Sequence, residues 1–311
     1  MARKRPRGVL GLGWACFESA AAGRIEHSPT AQRYPESVVR RATFTAGGGL
    51  GWRISALETP RARSAPLRIV VVPGAPCWAE YWAPVMAALP ADREMIVVDR
   101  PGFAGSDPQV CVPDIRVQAA ALAPLLEAAP GQKILLIGQS YGAAIATLMA
   151  ASCRRALAGL VLLSSYLGEP GPTARLLLTM GGHVMDFLPR DLRNAVTEVT
   201  GQPAQLAHMH SALRRLRAPV HVIHGEADDF APIEIAERLV RDSRLRAPMR
   251  LVRIAGANHF INDGPVERLL GALEPCISSP RPAPLARRLG GLNLAWPARR
   301  SPAAGRQPAA A

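Results

Sequence analysis

Ile134-Leu135-Leu136-Ile137-Gly138-Gln139-Ser140-Tyr141-Gly142-Ala143-Ala144-Ile145 is the stretch whose reading decides the fold. Its first four residues are aliphatic without interruption, as in a strand covered on both faces. The residues from Ala143 to Ala151 are mostly small and read as a helix, predicted over Gly142–Arg154. Between the two lies a G-x-S-x-G pattern, weak alone but specific when strand and helix flank it. There the turn is tight enough to force the serine into a strained, exposed position, with the positive end of the helix beneath it. Ser140 is therefore the candidate nucleophile, and the Tyr141 N–H a candidate oxyanion donor.

Working outward, further aliphatic runs stand at Ile69–Val72, Ile96–Val98, Leu160–Leu163, Val220–Ile223 and Met249–Ile254. Helical stretches alternate with them at Tyr81–Leu89, Asp114–Ala128 and Ile233–Val240, with Pro124 expected to kink or split the second. This alternation predicts an α/β fold with a doubly wound, mostly parallel sheet. A hairpin, Ala42–Thr45 with Trp52–Ala56 around Gly47-Gly48-Gly49, is expected at the sheet edge. The connection 166–216 is too long for a simple crossover and reads as a small helical lid.

A serine hydroxyl needs a base. Among seven histidines, His259 follows the last expected strand, at the sheet edge where it can reach Ser140. His224 lies inside a strand and is read as structural. His208 and His210 form an H-x-H without further ligands, and His27, His183 and His221 have no supporting context. The base in turn needs an acid. Asp228 stands 88 residues after Ser140 and 31 before His259, giving the order Ser–Asp–His. Asp229 and Glu169 are the competing acids. The second oxyanion donor is expected from Pro73-Gly74-Ala75-Pro76: Pro76 has no N–H, which leaves Ala75.

These motifs together resemble the α/β-hydrolase-fold serine hydrolases of the esterase, lipase and haloperoxidase-like group, over about residues 42–276. The resemblance rests on Pro73-Gly74-Ala75-Pro76, Asp99-Arg100-Pro101-Gly102-Phe103-Ala104-Gly105-Ser106-Asp107, Gly138 to Gly142, Gly225-Glu226-Ala227-Asp228 with Pro232, and Gly256-Ala257-Asn258-His259-Phe260. It implies an α/β-hydrolase sheet, Ser140, Asp228 and His259 as a triad, and hydrolysis without cofactor or metal. Two departures stand out. Pro73-Gly74 replaces the family's usual His-Gly, and Ala104 stands where glycine is frequent.

The expected activity is cleavage of an ester or related acyl bond of a small, apolar substrate through an acyl-enzyme. Alternatives on the same fold are acyl transfer, perhydrolysis or carbon–carbon bond hydrolysis; a catalytically silent binding protein is the alternative of a different class. Leu176, Leu177, Leu178, Met180, Met185 and Phe187 read equally as pocket lining or as the lid's own core. Trp78, Tyr81 and Trp82, close to the oxyanion loop, are expected to pack the first helix, with a pocket wall as the alternative.

Composition bounds the partners. The net charge of +13 sits at the ends: residues 1–41 hold eight Lys/Arg against three acids and residues 277–311 six Arg and no acid, leaving +2 for the body. These ends read as a disordered basic arm and a disordered Pro/Arg/Ala-rich tail, without a module that reads nucleic acid. No apolar run reaches the ~18 residues of a membrane span. The five scattered cysteines suit a reduced, cytoplasmic protein, against the alternative of export by a signal within residues 1–22. An oligomeric state is not expressed in the sequence.

Overall fold

The computed structural model describes residues 34–278, apart from 61–64, 154–156, 243 and 246–247, together with the pair 292–293. The expectations for residues 1–33 of the N-terminal arm, for a signal within residues 1–22, and for Cys16 and His27 lie outside the described residues, as does most of the tail. The end of the arm, expected to be disordered, is ordered, with Val39 buried and Arg40 and Arg41 opening the first strand.

Among the described residues, nine strands form one sheet: β1 (Arg40–Thr45), β2 (Arg53–Glu58), β3 (Leu67–Val72), β4 (Arg93–Val98), β5 (Lys133–Gln139), β6 (Gly159–Leu163), β7 (Val220–Gly225), β8 (Met249–Ile254) and β9 (Leu292–Asn293). Their order is β1-β2-β4-β3-β5-β6-β7-β8-β9. The hairpin pairs antiparallel, Thr45 opposite Arg53, and β2 joins β4 antiparallel; from β4 onward every neighbour is parallel. The chain leaves β3 for β4 on one side and returns to β5 on the other. A crevice therefore opens between the carboxyl ends of β3 and β5, where a doubly wound sheet places its ligand.

The aliphatic strands explain the layers. In β5, Ile134 and Leu136 enter one core and Leu135 and Ile137 the other, all buried. Each such side chain contributes about 1.5–3 kcal/mol by leaving water. The first core is closed by helices α2 (Ile115–Leu122) and α3 (Gly142–Ser152), the second by α1 (Ala83–Ala87) and α8 (Val266–Ser278). Between β6 and β7 the chain inserts α4 (Pro172–His183), α5 (Arg190–Gly201) and α6 (Leu206–Arg215); α7 (Ile233–Val240) follows β7.

Several local expectations are refined. Pro124 splits its helix: α2 is capped by the Asp114 carboxylate accepting from Arg116 N at 2.8 Å, and a 3-10 turn over Ala123–Leu126 takes over. The stretch expected as one helix over Tyr81–Leu89 is a 3-10 turn, Ala79–Trp82, followed by the short α1. α8 had no counterpart in the sequence reading; it carries Pro275 inside it, a residue that normally marks a helix boundary. The tail expected to lack structure contributes β9, backbone-paired to Val252 and Arg253 of β8. Among the described residues, no helix is long and apolar enough to cross a membrane.

Candidate active site

The turn from β5 into α3 is built by close approach. A Cβ on Gly142 would lie 2.2 Å from the Val72 carbonyl oxygen and 2.4 Å from that of Pro73, so only glycine lets the helix start against β3. Ser140 sits at φ 51°, the left-handed region that is strained for a side chain, held there by its N–H donating to Leu163 O at 2.9 Å. The strain turns its hydroxyl away from the core towards the crevice.

His259, from the loop after β8, meets it there. Its Nε2 is 3.0 Å from Ser140 Oγ, and its Nδ1 is 2.8 Å from Asp228 Oδ2. A carboxylate only accepts, so Nδ1 carries the proton and Nε2 is left to accept from the serine hydroxyl. The ring is fixed by Phe230, stacked at 5.3 Å between centroids, and by Phe260 edge-on at the same distance.

Asp228 is locked from four sides. Its Oδ1 accepts from Phe230 N at 3.0 Å and Ala231 N at 2.8 Å, and Oδ2 also faces His224 Nε2 at 3.1 Å. Burial pushes this carboxyl up, but the hydrogen bonds from His224, His259 and Ala231 outweigh it and hold it well below the ordinary carboxylate range. His224 is fully buried and also bonds Ala231 O through Nε2 at 2.7 Å. Both partners accept, so Nε2 carries the proton. Its structural role is thus specific: it holds the acid.

The competitors lie elsewhere. Asp229 accepts from the Thr173 hydroxyl at 2.5 Å, tying its loop to α4, and exposed Glu169 pairs with Arg238. His208 and His210 stand on α6, and among the described residues no group of three His, Cys, Asp or Glu could hold a metal ion. Cys77, on the loop after β3, is no rival nucleophile: burial pushes its thiol up to about 12, far from a thiolate at neutral pH.

The loop Pro73-Gly74-Ala75-Pro76 faces Ser140 across the crevice. A Cβ on Gly74 would come within 2.8 Å of Ser140 Cβ. Neither the Ala75 nor the Tyr141 N–H has a hydrogen-bond partner among the described residues. The histidine absent from this loop is replaced from below by Arg100, which no reading of the sequence singled out. Its guanidinium donates to Pro73 O and Gly74 O, and also to Gln118 and to Glu198 of α5. Ala104, in the family's glycine position, has φ 49°, a conformation glycine adopts freely.

Over the site lies a cavity of about 420 Å³. Leu177, Leu178 and Met180 line it from α4, Ala195, Val196 and Val199 from α5. Leu176, Met185 and Phe187 do not; Phe187 is 88% exposed, so these residues form no separate core. Trp82 is buried in the second core and Trp78 packs with Tyr81 and Ala104, and all three also line the cavity, so packing and pocket wall hold together. Trp78 Nε1 donates to Asp191 at 2.8 Å and Trp82 Nε1 to Gln139 at 2.9 Å, so both buried indole N–H groups are satisfied within the protein. Among the described residues that line it, none is Lys or Arg.

The sequence pattern of the alpha/beta hydrolase family matches residues 69–272, about two thirds of the chain, from within β3 to within α8. The chain belongs to that family. A 2-hydroxy-6-oxononadienedioate/2-hydroxy-6-oxononatrienedioate hydrolase of Paraburkholderia phymatum is 28% identical over 206 residues, 54% of this hydrolase and 72% of the relative. Polyketide synthase ThaQ of Burkholderia thailandensis is 32% identical over 232 residues, 62% of this chain but 11% of that protein. Among solved structures, a thermophilic esterase from Thermogutta terrifontis, with malate bound, superimposes with a TM-score of 0.58 at 22% identity, covering 75% of this chain and 96% of its own. This hydrolase therefore shares fold and family with enzymes, and several similar relatives bear the dienedioate hydrolase name.

Proposed function

We propose that this hydrolase attacks the carbonyl carbon of a small, uncharged, largely apolar substrate through Ser140, with His259 as base and Asp228 as its partner. The observation that carries this is the unbroken relay from Asp228 through His259 to Ser140, with hydrogen-bond distances of 2.8 and 3.0 Å. His259 takes the serine proton as Oγ adds to the carbonyl. The oxyanion rests on the Ala75 and Tyr141 N–H groups, His259 protonates the leaving group, and water then releases the acyl chain. The 166–216 connection acts as the lid that supplies the acyl pocket.

Two bonds beside such a carbonyl can be cut. A 2-hydroxy-6-oxo-dienedioate has a ketone but no ester, so hydrolysis of it breaks a carbon–carbon bond. The relatives' names therefore favour carbon–carbon hydrolysis, the alternative kept beside ester cleavage, and give it more support than the ester. The cavity favours the ester reading in one respect. A dianionic dienedioate would have to leave water beside apolar walls where, among the described residues, no Lys or Arg side chain meets it, which is strongly unfavourable. In either case the substrate fitted by this pocket is a neutral one.

The test is labelling by an alkyl fluorophosphonate followed by product analysis on matched alkyl esters and vinylogous 1,5-diketones. Ser140→Ala should fold, resist labelling and lose turnover by several orders of magnitude. Labelling and turnover unchanged in Ser140→Ala would refute the mechanism, and the product ratio assigns the bond.

A further inference from the structure

Arg100 is fully buried, and so is its counter-ion Glu198. A buried ion pair is a poor way to gain stability, because both charges must leave water. The geometry here suggests another use. Arg100 Nη2 donates to Gly74 O at 2.8 Å, and Nε to Pro73 O at 3.0 Å. Gly74 C=O and Ala75 N–H belong to one planar peptide unit, which is trans, so the two groups point in opposite directions. Fixing the carbonyl on one side aims the N–H on the other, at the crevice where Ser140 stands. A charge-assisted bond to the carbonyl also polarises the amide and strengthens the N–H as a donor.

The guanidinium is itself fixed. Glu198 grips it with both oxygens, at 2.9 Å to Nη1 and 2.8 Å to Nη2, and Gln118 accepts from Nη1 at 2.8 Å. Its Cζ lies 4.7 Å from the Phe103 ring centroid and 4.9 Å from that of Tyr141, the residue offering the other donor. Glu198 rides on α5, whose neighbouring Ala195, Val196 and Val199 line the acyl cavity.

We propose that Arg100 and Glu198 are positioning residues for the oxyanion donor: Glu198, carried by the helix that walls the substrate cavity, holds Arg100, and Arg100 aims the Ala75 N–H. Substrate packed against α5 thereby firms the oxyanion hole beneath it. This rests on the Ser140 reading above, and that reading is checked first, by loss of labelling and turnover in Ser140→Ala.

The variants are Glu198→Gln, close in shape but uncharged, and Arg100→Lys, which keeps the charge but not the fork. Activity is counted per serine titrated by fluorophosphonate, so unfolded protein drops out. The inhibitor pair is an alkyl trifluoromethyl ketone, which forms an oxyanion with Ser140, and the methyl ketone of the same chain, which binds without forming one. Expected are a kcat lowered at least about tenfold, a KM within about threefold, and trifluoromethyl ketone affinity lost in parallel with kcat while the methyl ketone binds unchanged. A merely structural pair would lower the melting temperature and leave kcat per titrated serine as in the wild type; that result, or a change in KM alone, overturns the proposal. Should neither variant fold, the wild type decides. The Ala75 amide proton, followed by NMR, should move downfield when the trifluoromethyl ketone binds, and no movement overturns the assignment. Turnover and labelling that survive Ser140→Ala would instead sink the functional reading itself, a result distinct from a Ser140-dependent enzyme whose kcat per titrated serine is unmoved by Glu198→Gln.

Discussion

Replacing Asp228 by Asn changes one oxygen into an NH2 group, and the structure dictates which one. Oδ1 accepts two backbone N–H groups, from Phe230 and Ala231. An amide nitrogen placed there would face two donors, so the oxygen of Asn keeps that position. The NH2 group then takes the place of Oδ2, against His259 Nδ1 at 2.8 Å and His224 Nε2 at 3.1 Å. Both are N–H donors in the wild type, so donors would meet donors. His259 relieves the clash by moving its proton to Nε2, where it points at Ser140 Oγ. An imidazole in that tautomer cannot take the serine proton. The expected loss in kcat is about 10⁴-fold, or about 5.5 kcal/mol of barrier, with the fold retained. Fluorophosphonate labelling rate and steady-state turnover measure it, with Asp229→Asn, expected within about threefold of wild type, as the control. Asp228→Asn retaining more than a tenth of wild-type activity would refute this account of the tautomer.

The remaining expectations concern stability and substrate. The Asp228 carboxyl is held below its unfolded value of ~3.9, so its contribution to stability is present above that pH and is lost as pH falls through the lower folded value. Urea unfolding should therefore show a gap between wild type and Asp228→Asn at pH 7 that narrows below about pH 4; a gap that widens on acidification would contradict it. Gly142→Ala places its Cβ against two backbone carbonyls that have no room to move and should lower stability by at least ~3 kcal/mol, roughly 6–12 °C in Tm by calorimetry. In a linear ester series, kcat/KM should rise about fourfold per added methylene, from ~0.8 kcal/mol each, until the cavity is full; a flat series would argue that the chain stays outside it. Leu178→Arg should reverse that preference towards acyl groups ending in a carboxylate, read as the ratio of kcat/KM for the two series.

The parallel strands were legible because burial on both faces leaves aliphatic runs such as Ile134–Ile137 with no polar partner in the alternation. The turn around Ser140 was legible because Gly142 tolerates no substitute beside β3. The residues that stayed hidden are charged or polar ones in the interior. Arg100 and Glu198 are 98 positions apart, and each alone has the composition of a surface residue. His224 gave no sign that Asp228 would be its neighbour, since the turn between them is set by the Asp228 carboxylate itself. The Trp78 and Trp82 rings were read as packing first and as pocket wall second, because aromatic burial and cavity lining look the same in a sequence; their buried N–H partners, Asp191 and Gln139, lie far off along the chain.

The ion pair joining α5 to β4's carboxyl end has a meaning for anyone recombining parts of this fold. The segment above the sheet is not a detachable cap: lifted onto another scaffold it would carry an orphaned anion inward, while the scaffold left behind would keep a stranded cation under its reactive loop. Chimeras that exchange this segment would succeed only when both halves of the charge travel together.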